Sequence, residues 1–472
     1  MRGKVVAGVL IPALVLGGAG AYVVADALDV VPGWITAAPV PQAPAPFLTA
    51  EAVESSPAPA SAVSLVTADA PVPSAAEVQS LAEQVRADDR TGSSTNVSVV
   101  DALTGDVYAD VSAADVQVPA STTKLLTAVG AVADLGPDAV MHTDLVWEPF
   151  SSTLTLVGRG DMLLAAGAGH HGAGEDANGW AGIGDLVDLA LAHPEFEPGG
   201  PVTLRVDDSL FEGPAINPDW PQYALDMGYV APATGLAVNI ARKTDEQYAQ
   251  RYKDPSLAAG EVLAQALQDA GVAIDGDVER TTEPLDGIEV ARVDSAPLSE
   301  VVHLLLRDSD NTIAEIVGRV HALETGRATT PAGAAAATVA GLASIGAPVD
   351  GLVLRDGAGF SEDNRIAPAH LTGAIVAALA AEPTADLLDW LPLGGLEGTV
   401  ATRYEDTDAA GAVRAKTGSL TGVTALAGTV QTAEGRLLAF AVLADGMPYG
   451  QDRPRAAMDE LVLALARCGC EG

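Results

Sequence analysis

Three short clusters in this 472-residue chain combine a nucleophile, a base and groups able to orient a substrate. Ser121 and Lys124 stand three residues apart in Pro119-Ala120-Ser121-Thr122-Thr123-Lys124, just before an Ala/Leu-rich run. On a helix that spacing puts both side chains on one face, about one turn apart. A serine hydroxyl becomes a nucleophile when a base takes its proton. A lysine amine is such a base once burial or neighbouring cations lower its pKa. The plain reading of the pair is a capping serine followed by a solvated lysine.

The second cluster, Ser309-Asp310-Asn311, separates two apolar helical segments, where a polar knot is most simply a connecting turn or cap. As chemistry, Ser309 would relay a proton toward a leaving group, and Asn311 would hold a substrate amide and Lys124. The third, Lys416-Thr417-Gly418-Ser419, closes a strand-like run and reads plainly as a hairpin turn with a solvated lysine. As chemistry, Lys416 and Thr417 on a sheet edge would bind a substrate carboxylate. Gly418 would admit close approach of another backbone.

The elements that must position these clusters are legible in outline. Residues 96–100 and 105–111 read as a hairpin, and Pro119 before a small polar residue marks a helix start. Helical spacing recurs at 257–270, 298–306, 314–323 and 455–466, with strand-like runs at 413–415, 423–430 and 437–443. Between 144 and 296 the text is mixed, with strand-like pieces at 153–157 and 202–206 and a glycine-rich stretch at 165–182. This mixture predicts an α+β body whose helices pack on an antiparallel sheet. Ahead of it, Met1-Arg2-Gly3-Lys4 and an uncharged run over 5–25 have the grammar of a secretion signal or membrane anchor. A proline-rich stretch follows (Pro39, Pro41, Pro44, Pro46, Pro57, Pro59, Pro71, Pro73) and reads as a semi-extended spacer.

The order S-x-x-K, S-D-N, K-T-G forms a set found in penicillin-binding proteins and class A β-lactamases. The chain resembles the penicillin-recognising serine D,D-peptidases, and more narrowly the D-alanyl-D-alanine carboxypeptidase/endopeptidase family S13. The narrower resemblance also rests on Gly158-Arg159-Gly160-Asp161, Asp207-Asp208-Ser209-Leu210-Phe211, Asp356-Gly357-Ala358-Gly359-Phe360-Ser361, and Leu391-Pro392 leading to Gly398-Thr399. It implies a β-lactamase/transpeptidase-like domain: an antiparallel sheet flanked by helices, plus a helical subdomain. It also implies an inserted domain between the first two motifs. The organisation expected is a signal or anchor over 1–27, a linker over 28–75, the catalytic domain over 76–143 and 298–472, and the insertion over 144–297.

By the same resemblance Ser121 is the acylated nucleophile, Lys124 its base and Ser309 the proton relay. Asn311 binds a substrate amide, and Lys416 and Thr417 grip the carboxylate of a D-Ala-D-Ala stem peptide of peptidoglycan. Backbone N–H groups of Ser121 and Ser419 form the oxyanion hole. No metal or other cofactor is implied. β-Lactams are expected as inhibitors, and D,D-endopeptidase activity as an accompaniment, outside the cytoplasm at the cell wall.

Composition narrows the alternatives. With 25 Lys+Arg against 63 Asp+Glu, the net charge of −38 excludes binding nucleic acid through a general positive field. The only cysteines, Cys468 and Cys470, provide neither a disulfide framework nor a Cys-rich zinc site. None of the seven histidines falls in an H-E-x-x-H pattern, and His170-His171 reads as a solvated loop. A β-lactamase or another serine hydrolase on the same scaffold is the competing enzyme, and a non-catalytic wall-associated binding protein the competing non-enzyme. Class A lactamases need a glutamate downstream of S-D-N to activate the deacylating water. Residues 330–360 contain none.

Overall fold

The computed structural model describes residues 69–172, 176–283, 285–447 and 452–468. The expected signal or anchor, most of the linker, and Cys470 lie outside the described residues. In chain order the helices of ten residues or more are α1 (Ala75–Ala87), α2 (Thr123–Leu135), α3 (Ile183–Ala192), α4 (Pro255–Asp269), α5 (Leu298–Asp308), α6 (Asn311–Glu324), α7 (Pro331–Ser344), α8 (Pro368–Ala380) and α9 (Asp452–Arg467). The strands are β1 (Ser94–Asp101), β2 (Val107–Val111), β3 (His142–Glu148), β4 (Thr153–Arg159), β5 (Thr203–Asp207), β6 (Glu279–Arg280), β7 (Ile288–Asp294), β8 (Val413–Leu420), β9 (Val423–Gln431) and β10 (Leu437–Asp445). Among the described residues no single helix is long and apolar enough to cross a membrane.

The first sheet runs β2-β1-β10-β9-β8, every pair antiparallel. Its central strand β10 reads Leu-Leu-Ala-Phe-Ala-Val-Leu-Ala because both faces are covered. Leu438, Phe440, Val442 and Ala444 join a core with α1 and α9, which contribute Val78, Ala82, Met458 and Leu461. Leu437, Ala439, Ala441 and Leu443 point the other way, into the helical body with Leu125, Leu305, Ile313 and Leu371. Each such fully buried Leu or Phe is worth about 1.5–3 kcal/mol of transfer free energy. β8 is the edge strand, so part of its backbone is free to receive a ligand. Pro392 caps its beginning by accepting from Ala415 N–H at 3.2 Å.

The second sheet, β6-β5-β4-β3-β7, is mixed: β3 pairs antiparallel with β4 and β7, whereas β4–β5 and β5–β6 are parallel. Its core packs Leu145, Trp147, Leu156 and Val206 against Ile183 and Leu186 of α3 and Leu263 and Leu267 of α4. The sheet thus departs from the purely antiparallel expectation. Parallel pairing requires a crossover, and the segments after β4 and β5, carrying α3 and α4, supply it. Helices α7 and α8 carry no visible helical periodicity. Both carry Ala on the outer as well as the inner side: Ala334, Thr338, Gly341 and Leu342 of α7 are buried while Ala332, Ala336 and Ala343 are exposed, and Leu371, Ala374, Ile375 and Ala378 of α8 are buried while Ala380 is exposed.

Candidate active site

Ser121 stands just outside α2, as the middle residue of a 3-10 turn, Ala120–Thr122, that leads into it. Ala120 has φ +48°, a left-handed conformation that costs a residue with a Cβ about 1–2 kcal/mol. The turn is held from several sides. Thr122 and Thr123 hydroxyls donate to the Pro119 and Ala120 carbonyls at 2.7 and 2.9 Å. Gly359 lies against Ala120 so closely that a Cβ there would be 1.9 Å from its carbonyl oxygen. Gly418 of β8 abuts the Pro119 carbonyl, where a Cβ would stand at 2.8 Å. Farther along α2, Gly130 meets α7 backbone to backbone: a Cβ on Gly341 would lie 2.2 Å from the Gly130 carbonyl.

Lys124, one turn on, is fully buried. Its Nζ donates to Ser121 Oγ at 2.9 Å, to Asn311 Oδ1 at 2.7 Å and to the Ala358 carbonyl at 2.6 Å. Asn311 opens α6, and its Nδ2 donates to the Tyr229 carbonyl at 2.9 Å, which turns Oδ1 toward the lysine. Asp356 fixes the Ala358 carbonyl. Its buried carboxylate accepts from the N–H groups of Gly359, Phe360 and Ser361 and from Trp220 Nε1, all within 3.0 Å. Burial drives the Lys124 pKa down to about 8, against the negative charges of Asp356, Asp310 and Glu315. Glu315, beneath Gly357, is itself pushed up to about 7 by burial and by Asp356.

The turn between α5 and α6 carries the second cluster. Ser309 is left-handed at φ +58° and ends α5. Asp310 caps α6 by accepting from Thr312 and Ile313 N–H, and pairs with Arg242 at 2.9 Å and Arg251 at 3.1 Å. Burial pushes that carboxyl up, but Arg251 and Arg242 outweigh it and hold the pKa below the usual range. Asp310 therefore organises the turn from which Ser309 and Asn311 reach the cleft.

The third cluster lies within β8, whereas the sequence reading ended the strand just before it. Thr417 and Ser419 line the cleft. Thr417 Oγ1 bonds Thr399 Oγ1 at 2.9 Å, and Ser419 Oγ accepts from Arg455 at 3.1 Å. Lys416 is fully buried, and its Nζ donates to the Thr417 carbonyl at 2.7 Å. Burial, together with the nearby charge of Lys124, holds its pKa well below the ordinary lysine value.

Ser121, Ser309, Asn311, Thr417 and Ser419 thus share one cleft of about 710 Å³, with Lys124, Lys416 and Gly418 behind its wall. An aromatic flank of Tyr223, Tyr229, Tyr248 and Phe360 completes it. Sequence reasoning missed the Ala358 carbonyl as a ligand of Lys124, for which the Asp-Gly-Ala-Gly run was the available signal. It also missed Arg403 and Arg455, and no motif marked either. Arg319 donates to the Pro214 carbonyl at 2.6 Å and stacks over Phe211. His170 and His171 are exposed or half-exposed, and His171 bonds Asp185 at 3.1 Å.

The arrangement joins an unprotonated-capable amine, a hydroxyl and an open strand edge, the parts needed for acyl transfer. Carboxypeptidase DacB of Mycolicibacterium smegmatis is 36% identical over 434 residues, covering 89% of this chain and 91% of that protein. The D-alanyl-D-alanine carboxypeptidase of an Actinomadura species is 28% identical, covering 79% and 81%. The crystal structure of penicillin binding protein 4 from Haemophilus influenzae has the same fold: TM-score 0.65 at 21% identity, over 81% of this chain and 98% of that one. Residues 77–250 and 239–468 match the D-Ala-D-Ala carboxypeptidase 3 (S13) family. This is a serine-type D-Ala-D-Ala carboxypeptidase, and the chain belongs to the S13 family.

Proposed function

We propose that the enzyme trims peptidoglycan stem peptides outside the cytoplasm through an acyl-enzyme at Ser121. The observation that carries this is the set of oxygens around Lys124. Asn311 Oδ1 and the Ala358 carbonyl can only accept, so they take two N–H groups of a neutral amine. The lone pair is left for the third direction, toward Ser121 O–H. With a pKa of about 8, roughly a tenth of the lysine is neutral at pH 7.

Lys124 takes the Ser121 proton as Oγ attacks the penultimate D-Ala carbonyl carbon. The Ser121 and Ser419 N–H groups receive the oxyanion. The C–N bond then breaks, and the proton passes from Lys124 by way of Ser309 to the leaving D-Ala nitrogen. Water hydrolyses the ester and regenerates Ser121. Asn311 orients the substrate amide, and Thr417 and Ser419 receive the carboxylate. Gly418 keeps β8 against the Ser121 turn, while Lys416 braces the strand from behind and adds its field to the carboxylate site. In this reading residues 144–297 form an inserted domain, and the basic-then-apolar N-terminus directs export, as a cleaved signal or an anchor.

Among the described residues no glutamate lines the cleft, which supports an enzyme that penicillin traps rather than one that destroys it. One observation favours D,D-endopeptidase activity as well. Past Tyr248 and Thr399 the cleft adjoins a polar side chamber of about 530 Å³, lined by Asn239, Gln247 and Arg307, with room for a leaving group larger than D-Ala.

The test is fluorescent penicillin labelling and D-Ala release, with Ser121→Ala as control. Stable labelling with D-Ala release, both lost in Ser121→Ala, is expected. Rapid turnover of the label would instead indicate a lactamase. Labelling that persists in the variant would overturn the assignment of Ser121.

A further inference from the structure

A substrate ending in a carboxylate needs a cation it can touch, and Lys416 is fully buried with its amine committed to the Thr417 carbonyl. Two cations border the cleft itself, Arg403 and Arg455. Arg403 is spent on Asp459: its guanidinium makes two bonds to one carboxylate oxygen, at 2.8 and 2.5 Å, and its side chain is 10% exposed. Arg455, on the first turn of α9, is 43% exposed. Its only carboxylate neighbour within 4 Å, among the described residues, is Asp452 at 3.9 Å, a separation beyond hydrogen-bond reach. One of its N–H groups donates to Ser419 Oγ at 3.1 Å, which anchors the guanidinium beside β8 and leaves other donors open to the cleft. Because Ser419 accepts that bond, its own O–H is free to donate into the same space.

We propose that Arg455 directly binds the leaving-group carboxylate of the substrate, forming with the Thr417 and Ser419 hydroxyls a three-sided anion site on the open edge of β8. The site explains how a molecule of net charge −38 attracts an anionic peptide end: the cation is presented on a helix whose first turn reaches Ser419 of the substrate strand. It makes Arg455 a binding residue for the carboxylate, with Lys416 acting from behind the strand. The inference rests on acylation of Ser121 as proposed above.

Two acyl-D-alanyl thioesters test it, one with a thioglycolate leaving group, which carries a carboxylate, the other a neutral ethyl thioester. In the wild type kcat/KM should favour the thioglycolate. In Arg455→Ala that ratio should collapse by about 10- to 100-fold, the loss expected for a charge-assisted hydrogen-bonded contact, with Arg455→Lys retaining part of it. D-Ala release from a D-Ala-D-Ala peptide should fall in parallel. A ratio unchanged in Arg455→Ala, whether both rates hold or both drop together, overturns the proposal. Hydrolysis of either thioester by Ser121→Ala at the wild-type rate would instead overturn the acyl-enzyme reading and leave the two failures distinguishable.

Discussion

Lys124 and Lys416 are both fully buried behind the same cleft, yet their surroundings differ in kind. Lys124 has three oxygens within 2.9 Å and feels three carboxyl groups, of Asp356, Asp310 and Glu315. Lys416 has one carbonyl partner and a like charge nearby. Desolvation lowers both pKa values, but the acidic surroundings stop Lys124 at about 8, where it can both take and return a proton. For Lys416, burial and the like charge of Lys124 lower the pKa together, with no carboxylate acting against them. Burial alone does not make a base; the oxygens around it decide how far the proton affinity falls.

The sharpest way to break this comparison is Lys124→Met. Removing the base should lower acylation by about 10²- to 10⁴-fold, whereas Lys416→Met, measured by the same penicillin-labelling rate, should cost no more than about tenfold. Equal losses would make the two lysines interchangeable. The pH profile comes next. As pH rises through about 8, Lys124 gives up its proton and the competent neutral amine accumulates, so kcat/KM should climb on the acid side and level above that midpoint. Lys416→Met should leave the midpoint where it is; a displaced midpoint would assign the titration to Lys416. Stability provides the smallest contrast. Lys124→Met strands Asn311 Oδ1 and the Ala358 carbonyl, at about 1–3 kcal/mol for a buried unpaired group. Lys416→Met removes a desolvated cation of similar volume and should leave the thermal midpoint level or higher.

Much of the catalytic wall was legible because covalent neighbours act together there. Ser121 and Lys124 stand one turn apart where a helix opens, and Thr417 and Ser419 alternate along one strand, so spacing brings each pair to one face; Ser309 and Asn311 flank the turn between two helices, which Asp310 organises. What remained hidden comes from distant chain. The Ala358 carbonyl is a backbone atom with no side-chain signature, and its placement depends on Asp356 gathering N–H groups from the residues after it. Arg455 reaches Ser419 from the last helix. Helices α7 and α8 were unreadable because Ala stands on their outer sides in place of the polar face that periodicity detects. The Gly130–Gly341 approach shows how closely the inner side of α7 packs.

The pairing at the edge of the second sheet has a consequence for how such a molecule can be modified over generations. β3 and β7 run side by side with His142 opposite Asp294, and Ser295 N–H donates to the Met141 carbonyl at 2.9 Å. The two ends of the 142–294 segment are therefore zipped together where they join the helical body. Within it Trp220, Tyr229, Arg242 and Arg251 reach back to Asp356, Asn311 and Asp310, so the acceptors of Lys124 depend on this excursion as well as on the flanking chain. Only the stretches between those anchors can be lengthened, shortened or exchanged freely, at an entropic cost of loop closure that changes only logarithmically with length.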